Sequence, residues 1–277
     1  MRVRGDSVSA PGGGKLGALD FLQSVRNGKR GLLRQAAQFI GWLLPPIGIK
    51  NALLRWCGHD VSRTARIMPT IVVGVANVHV GEHVRIGLLN VLRDLSNVWL
   101  DDYSLVESWN WVSAHPTYQA SDADCGTLFL GVRAKLGSRN YVDCSGTIIV
   151  RSFGTVGGQR CLLHTHEPDF RNDRQTVGRI TVGRHAYVGS GAVLLKGAEV
   201  PDRSIVAAHS TMTAKSAQNG VPGLYAGTPA TWKRATSGDW FERNTYVMTG
   251  YVVEQQMGVL PEDRDATGQV EVVDGPG

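Results

Sequence analysis

Long apolar runs are missing from this 277-residue chain. The longest, Ala36 to Ile49, is interrupted by Pro45 and Pro46, whereas a bilayer-crossing helix needs about 20 apolar residues. Cysteine is scarce: Cys57, Cys125, Cys144 and Cys161 form no CxxC pair, which excludes a disulfide scaffold and a cysteine-built zinc module. The thiols are expected to be buried and reduced, as in a cytoplasm, with Cys144 and Cys161 inert. Charged residues reach only 19% beside 42% hydrophobic, a balance that excludes wholesale disorder. Basic residues are scattered without interleaved aromatics, so nucleic-acid binding is not expected. The polar, glycine-rich start MRVRGDSVSAPGGGK does not read as a secretory leader.

Glycine, by contrast, is abundant: 34 residues, without a three-residue period, which implies many tight turns. The net charge of +5 suits an anionic ligand or surface without choosing one. Four parts are expected: a tail (1–16), an N-terminal helical segment (17–60), a main domain (61–234) and a C-terminal extension (235–277). Within residues 17–58, apolar residues at helical spacing (Phe21, Leu22, Val25, then Leu32 to Leu44) are flanked by Arg26, Lys29, Arg30, Arg34, Lys50 and Arg55. Two readings follow: a cap on the main domain, or a basic amphipathic segment touching an anionic membrane.

The main domain carries a period of six. Val182, Val188, Leu194, Val200, Val206 and Met212 recur at that interval, each preceded two residues earlier by Ile180, Ala186, Ala192, Ala198, Ser204 or Ser210. Chance agreement is on the order of one in a few million per placement. A helix returns its apolar face at three and four; six is a multiple of the strand period, so the marked side chains share one face of an extended chain. A straight strand of that length is untenable. The chain must turn after each side, stacking coil upon coil as a solenoid, with Gly183, Gly189 and Gly197 expected to give freedom at the corners. Fragments of the same spacing lie upstream: Val80 and Ile86; Leu100, Val106 and Val112; Leu130, Leu136, Val142 and Ile148; Val150, Val156 and Leu162. Residues 113–127 and 167–179 read as inserts leaving a corner.

The units Val-Gly-x-x-Ala-x (182–187) and Val-Gly-Ser-Gly-Ala-Val (188–193) resemble the hexapeptide repeat of left-handed β-helix acyltransferases. The stretch Leu224-Tyr-Ala-Gly-Thr-Pro-Ala-Thr-Trp-Lys-Arg234 is similar to the segment that ends the coil in sugar and xenobiotic O-acetyltransferases. Tyr141-Val-Asp-Cys-Ser-Gly146, Gly157-Gly158 and Thr165-His166 resemble enzymes of surface-polysaccharide synthesis. The resemblance covers roughly residues 66–234. It implies an all-β, left-handed parallel β-helix, a homotrimer, acetyl-CoA or another acyl-CoA bound between neighbouring coils, no metal, and a histidine general base acting on a sugar or glycan hydroxyl.

Acyl transfer from a thioester to a hydroxyl needs a base, oxyanion donors and a groove aligning both substrates. Histidine titrates near neutrality and suits the first role. Among eight histidines, His166 in Leu-Leu-His-Thr-His-Glu-Pro-Asp (162–169) is the leading base, with His164 second; a purely structural pair is the alternative. Glu167 or Asp169 could orient its ring. Asn140 and Asp143, one or two coils earlier, could line the acceptor site or bond the coil corner. For coenzyme A the resemblance points to backbone groups of Gly189, Ser190, Ala207 and Ala208, with Lys196, Lys215, Lys233 and Arg234 meeting phosphates. Trp232 could stack on adenine or cover the coil end. His185 and His209 are expected to face outward from the coil.

Two other readings use the same fold. A zinc hydratase would gather His164, His166 and His185 around a metal with one open position. A non-catalytic trimeric assembly or membrane-docking module would need none of these groups. Acceptor choice is expected to reside in residues 88–130 and the 167–179 insert, and the location to be cytoplasmic, at the inner membrane face if residues 17–58 dock there.

Overall fold

The computed structural model describes residues 36–244. The tail (1–16), residues 17–35 of the N-terminal segment and residues 245–277 of the C-terminal extension fall outside them. Three parallel sheets form the faces of a left-handed parallel β-helix. The first carries seven strands, from Asp60–Val61 to Glu199–Val200; the second runs from Arg66–Ile67 to the closing hairpin Leu224–Gly227/Ala230–Arg234; the third runs from Ile71–Val73 to Thr211–Met212. Within each face the strands pair in parallel with the next coil. The C-terminal coils bury two residues at each face: Val182, Val188 and Leu194 are fully buried, as are Ile180, Ala186 and Ala192 two residues before them. These aliphatic rungs form one continuous core along the axis.

The hexad phase holds strictly only near the C-terminal end. Register partners there are 18 residues apart, as in Val182 with Val200 and Val188 with Val206. Upstream they are mostly 20 apart, as in Val78 with Val98 and Ile86 with Val106. Each such coil spends two extra residues at its corners, which breaks the six-residue count without breaking the fold. Residues 88–113 therefore belong to regular coils, and only 114–126 leave. One upstream hexad position is corrected: Leu162 is exposed and Leu163 is buried, because a register shift where Lys135–Ser138 pairs Thr155–Gln159 adds a residue to that coil.

The corners are made differently from the sequence expectation. Gly197 does sit at φ +78°, but Gly183 and Gly189 do not adopt positive φ. Their role is steric: a Cβ on Gly183 would lie 2.5 Å from Asp202 N, and one on Gly189 2.6 Å from Ala208 N. The left-handed corner positions go instead to side-chain-bearing residues: His83, Tyr103, Arg133, Phe153, His185 and Arg203 have φ between 54° and 61°. Such backbone costs about 1–2 kcal/mol per residue. Stacking offsets it: His83 lies on Tyr103 (4.9 Å), the Arg133 guanidinium on Tyr103 (4.9 Å), and Phe153 on His185 (4.6 Å, 6°).

Helix α1 (Gly48–Trp56) closes the N-terminal end of the coil. Lys50 is buried there and donates to the carbonyls of Trp42 (2.8 Å), Leu44 (2.7 Å) and Met68 (3.1 Å). Asn51 Nδ2 reaches the carbonyls of Ser62 and Ala65. Lys50 thus faces the coil end and is not one of the outward cations of a basic amphipathic face. No helix among the described residues is long and apolar enough to cross a membrane.

Candidate active site

Both inserts leave the same corner, between the third face and the first. One follows Trp111–Ser113 and carries the short helix α2 (Pro116–Gln119); the other is the hairpin His166–Asp169/Arg174–Val177. The coil between them turns that corner directly, at Cys144–Gly146. Parallel pairing sets Asp143 beside His164 in the third face, with side chains at alternate positions pointing outward. The chain then passes through buried Thr165 and enters the hairpin, which brings His166 back over Asp143.

The geometry pairs a histidine with a held carboxylate. His166 Nδ1 lies 2.7 Å from Asp143 Oδ2. Asp143 Oδ2 also accepts Thr165 N–H (2.9 Å), and Oδ1 accepts the hydroxyl (2.6 Å) and N–H (3.1 Å) of Ser145. Thr165 Oγ1 stands 2.8 Å from the Asp143 carbonyl and accepts Gly146 N–H (2.8 Å), locking the two coils together. Burial pushes the Asp143 carboxyl up, but the Ser145 and His166 hydrogen bonds and the His166 charge outweigh it, so the group titrates below the usual carboxylate range. An ionised Asp143 can only accept. His166 Nδ1 therefore carries the hydrogen, and Nε2 keeps the lone pair that a general base requires.

Asp143, rather than Glu167 or Asp169, holds the ring. Glu167 pairs with Lys196 (2.9 Å), and Asp169 is occupied inside the hairpin by Arg174 (3.0 Å) and Asn172 (2.8 Å). His164 stands close by, edge-on to His166 with ring centroids 4.5 Å apart and Nε2 4.0 Å from Asp143 Oδ2. His185 stacks on Phe153 at a different corner, so the trio His164, His166 and His185 does not assemble. His209 is exposed at φ +56°.

Four side chains at the site were not anticipated. Tyr118, from α2, sets its ring 5.7 Å from that of His166; burial, then the Asp143 charge, raises its hydroxyl pKa. Ser145 holds Asp143, and its hydroxyl accepts His115 N–H (3.1 Å), tying the first insert to the site. The Asp-x-Ser spacing was a readable signal for that turn. On the same face, Trp111 and Tyr141 stack at 6.1 Å and 14°, with Tyr141 60% exposed.

Asn140 belongs to the coil interior. It is buried, its N–H bonds Asn110 Oδ1, and its Oδ1 accepts Cys161 N–H (2.9 Å), continuing a ladder from Asn90 and Asn110. It does not line an open acceptor site. The N–H groups of Gly189 and Ala207 are spent on the carbonyls of Val206 and Tyr225, so those amides cannot serve a pantetheine arm. Ser190 and Ala208 are exposed beside them. Lys196 is pinned between Glu167 and Thr176 (2.6 Å), fastening the hairpin base instead of awaiting a phosphate. Lys215, Lys233 and Arg234 are exposed. Lys215 lines two adjoining grooves, one reaching Glu167, Leu195 and Thr231, the other Asn219, Val221 and Trp232. Trp232 packs over Gly223, donates to Pro222 O and stays 47% exposed. Cys144 and Cys161 are buried with thiol pKa values raised chiefly by burial, which suits inert packing.

Comparison with known proteins yields similarity in solved structures alone. No protein-family model matches the chain, and no curated protein matches it. The polysialic acid O-acetyltransferase OatWY is 16% identical, with a TM-score of 0.42 over 65% of this chain and 88% of that one. AntD, an N-acyltransferase from Bacillus cereus in complex with dTDP and 3-hydroxybutyryl-CoA, is 12% identical, with a TM-score of 0.40 over 66% and 87%. A hexapeptide transferase family protein from Anaplasma phagocytophilum is 17% identical, with a TM-score of 0.34 over 66% and 82%.

Proposed function

We propose that this protein is an acyl-CoA-dependent O-acyltransferase, with acetyl as the acyl group and a sugar, glycan or glycolipid hydroxyl as acceptor. The observation that carries the reading is the Asp143–His166 pair, which leaves His166 Nε2 as a lone-pair base next to the Tyr118 and His164 rings. His166 Nε2 takes the acceptor proton while the hydroxyl oxygen attacks the thioester carbonyl. Collapse of the tetrahedral intermediate breaks the C–S bond, and the proton passes from the imidazolium to the departing thiolate. The groove at Leu195, Lys215 and Thr231 offers a path for the pantetheine, with Lys215, Lys233, Arg234 and Trp232 left for the phosphates and adenine. Ser190 and Ala208 remain candidates for contacts along that path.

Trp111 and Tyr141 suit the apolar face of a pyranose or a second copy of the chain in a homotrimer. Phe39, Ile40, Ile47, Ile49 and Trp56 are individually exposed in the N-terminal cap, which is in keeping with peripheral contact with a membrane bearing the acceptor, in the cytoplasm. The test is His166→Ala, with thiol release from acetyl-CoA followed across a panel of sugar acceptors. Loss of the base should lower turnover by about 10²- to 10⁴-fold. A folded variant retaining wild-type turnover would overturn the assignment.

A further inference from the structure

Asp143, His164 and His166 each offer one ligand atom, and these atoms all lie within 4.8 Å of one another. Among the described residues no second such trio of histidine, cysteine and acidic side chains occurs. We propose that this trio is a zinc site that switches off the general base: one Zn²⁺ bound by Asp143 Oδ2, His164 Nε2 and His166 Nδ1, with the fourth position open to water. The metal site stands independently of the acyl-transfer reading; only its effect on turnover rests on that reading.

The dimensions fit the ion. Zinc–nitrogen and zinc–oxygen bonds of about 2.0–2.1 Å place tetrahedral ligands about 3.3 Å apart. The His166–Asp143 contact of 2.7 Å must open, and the His164–Asp143 contact of 4.0 Å must close, each by roughly 0.7 Å. Side-chain rotations supply movements of that size. The carboxylate is already steadied by Ser145 and by Thr165 N–H, the kind of outer bonding that orients metal ligands. The side chains of all three residues are only partly exposed, 17% for Asp143, 31% for His166 and 39% for His164, so an ion can enter and still be largely enclosed. Among the described residues, Asp60 with His79 also forms an Asp–His pair, without a third ligand near it.

The consequence follows from proton bookkeeping on one ring. Without metal, Nδ1–H points at Asp143 and Nε2 is the base. Zinc takes the Nδ1 lone pair, so a neutral imidazole must carry its hydrogen on Nε2. The proton moves from one nitrogen to the other through solvent, none is consumed, and the lone pair facing the acceptor disappears. Zinc thus inhibits by fixing the wrong tautomer, and a chelator restores the base.

The experiment titrates the full chain with zinc chloride against a chromophoric chelator, for the wild type, His164→Gln and Asp143→Asn. One zinc per wild-type chain is expected, with at least a tenfold weaker dissociation constant in each variant. A wild-type ¹⁵N-histidine NMR spectrum, which needs no variant, should show His166 passing from the Nδ1–H to the Nε2–H form as zinc is added. No stoichiometric zinc, or binding unchanged in both variants, or an unaltered His166 tautomer, would overturn the site. Zinc bound with the tautomer shift but no thioester turnover under any condition would instead count against the acyltransferase reading and leave the site standing.

Discussion

Replacing Asp143 with asparagine separates the two things its carboxylate does. Five donor contacts converge on its two oxygens: the Ser145 hydroxyl and N–H, the Thr165 N–H and hydroxyl, and His166 Nδ1. In Asp143→Asn one oxygen becomes an NH₂ donor facing other donors. If it faces His166, Nδ1 must accept, the ring hydrogen moves to Nε2 and the base is lost; a wrong tautomer of this kind typically costs about 10²- to 10⁴-fold in rate. If it faces Ser145, the buried Ser145 N–H loses its acceptor, at about 1–3 kcal/mol of stability. Turnover is measured by thiol release and stability by urea unfolding across acid pH. The folded Asp143 titrates low, so its stabilisation is present above the ordinary carboxylate value near 3.9 and is lost as pH falls through the lower folded value. The stability gap between wild type and variant should therefore shrink in that window. A folded variant with turnover within about threefold of wild type and unchanged stability would refute the orientation argument, since one of the two losses must occur.

Lys50 and Gly189 allow two further checks. Burial lowers the Lys50 pKa from 10.5 to about 8, so the unfolded chain holds more protons than the folded one between those values and stability rises with pH there. Wild type should gain on Lys50→Met by at most about 3 kcal/mol from pH 8 to 10.5, read by urea unfolding; a constant difference would contradict the buried charge. Gly189→Ala should destabilise by about 1–3 kcal/mol, because its Cβ would press to 2.6 Å from Ala208 N; an unchanged thermal midpoint would mean the coils can part freely.

The sequence exposed the solenoid where coils are 18 residues long, because there alone the six-residue count survives from one turn to the next. Upstream, Val78, Val98, Leu128 and Ile148 occupy equivalent inward positions, yet two extra corner residues or a whole insert separate them, and a fixed period cannot follow that. His166 stood out because the repeat ends beside it. Its holder did not, because Glu167 and Asp169 are neighbours in the chain while Asp143 is a neighbour only across coils. Asn140 was ambiguous for the opposite reason: its side chain serves a ladder that appears only when coils stack. The cap role of Lys50 was hidden by its charge, which reads as surface until three carbonyls are seen around it.

Because both excursions spring from one edge of the prism and flank the turn that follows Asp143, the loops and the scaffold are physically separable. Lengthening such a loop adds only slowly to its closure entropy, and neither excursion interrupts the aliphatic rungs beneath. Grafting a foreign loop in place of residues 114–126 would reshape what sits over His166 while leaving Asp143 on the rigid shaft and His166 on its own hairpin, so that, on the acyl-transfer proposal, new acceptors are sampled without rebuilding the fold.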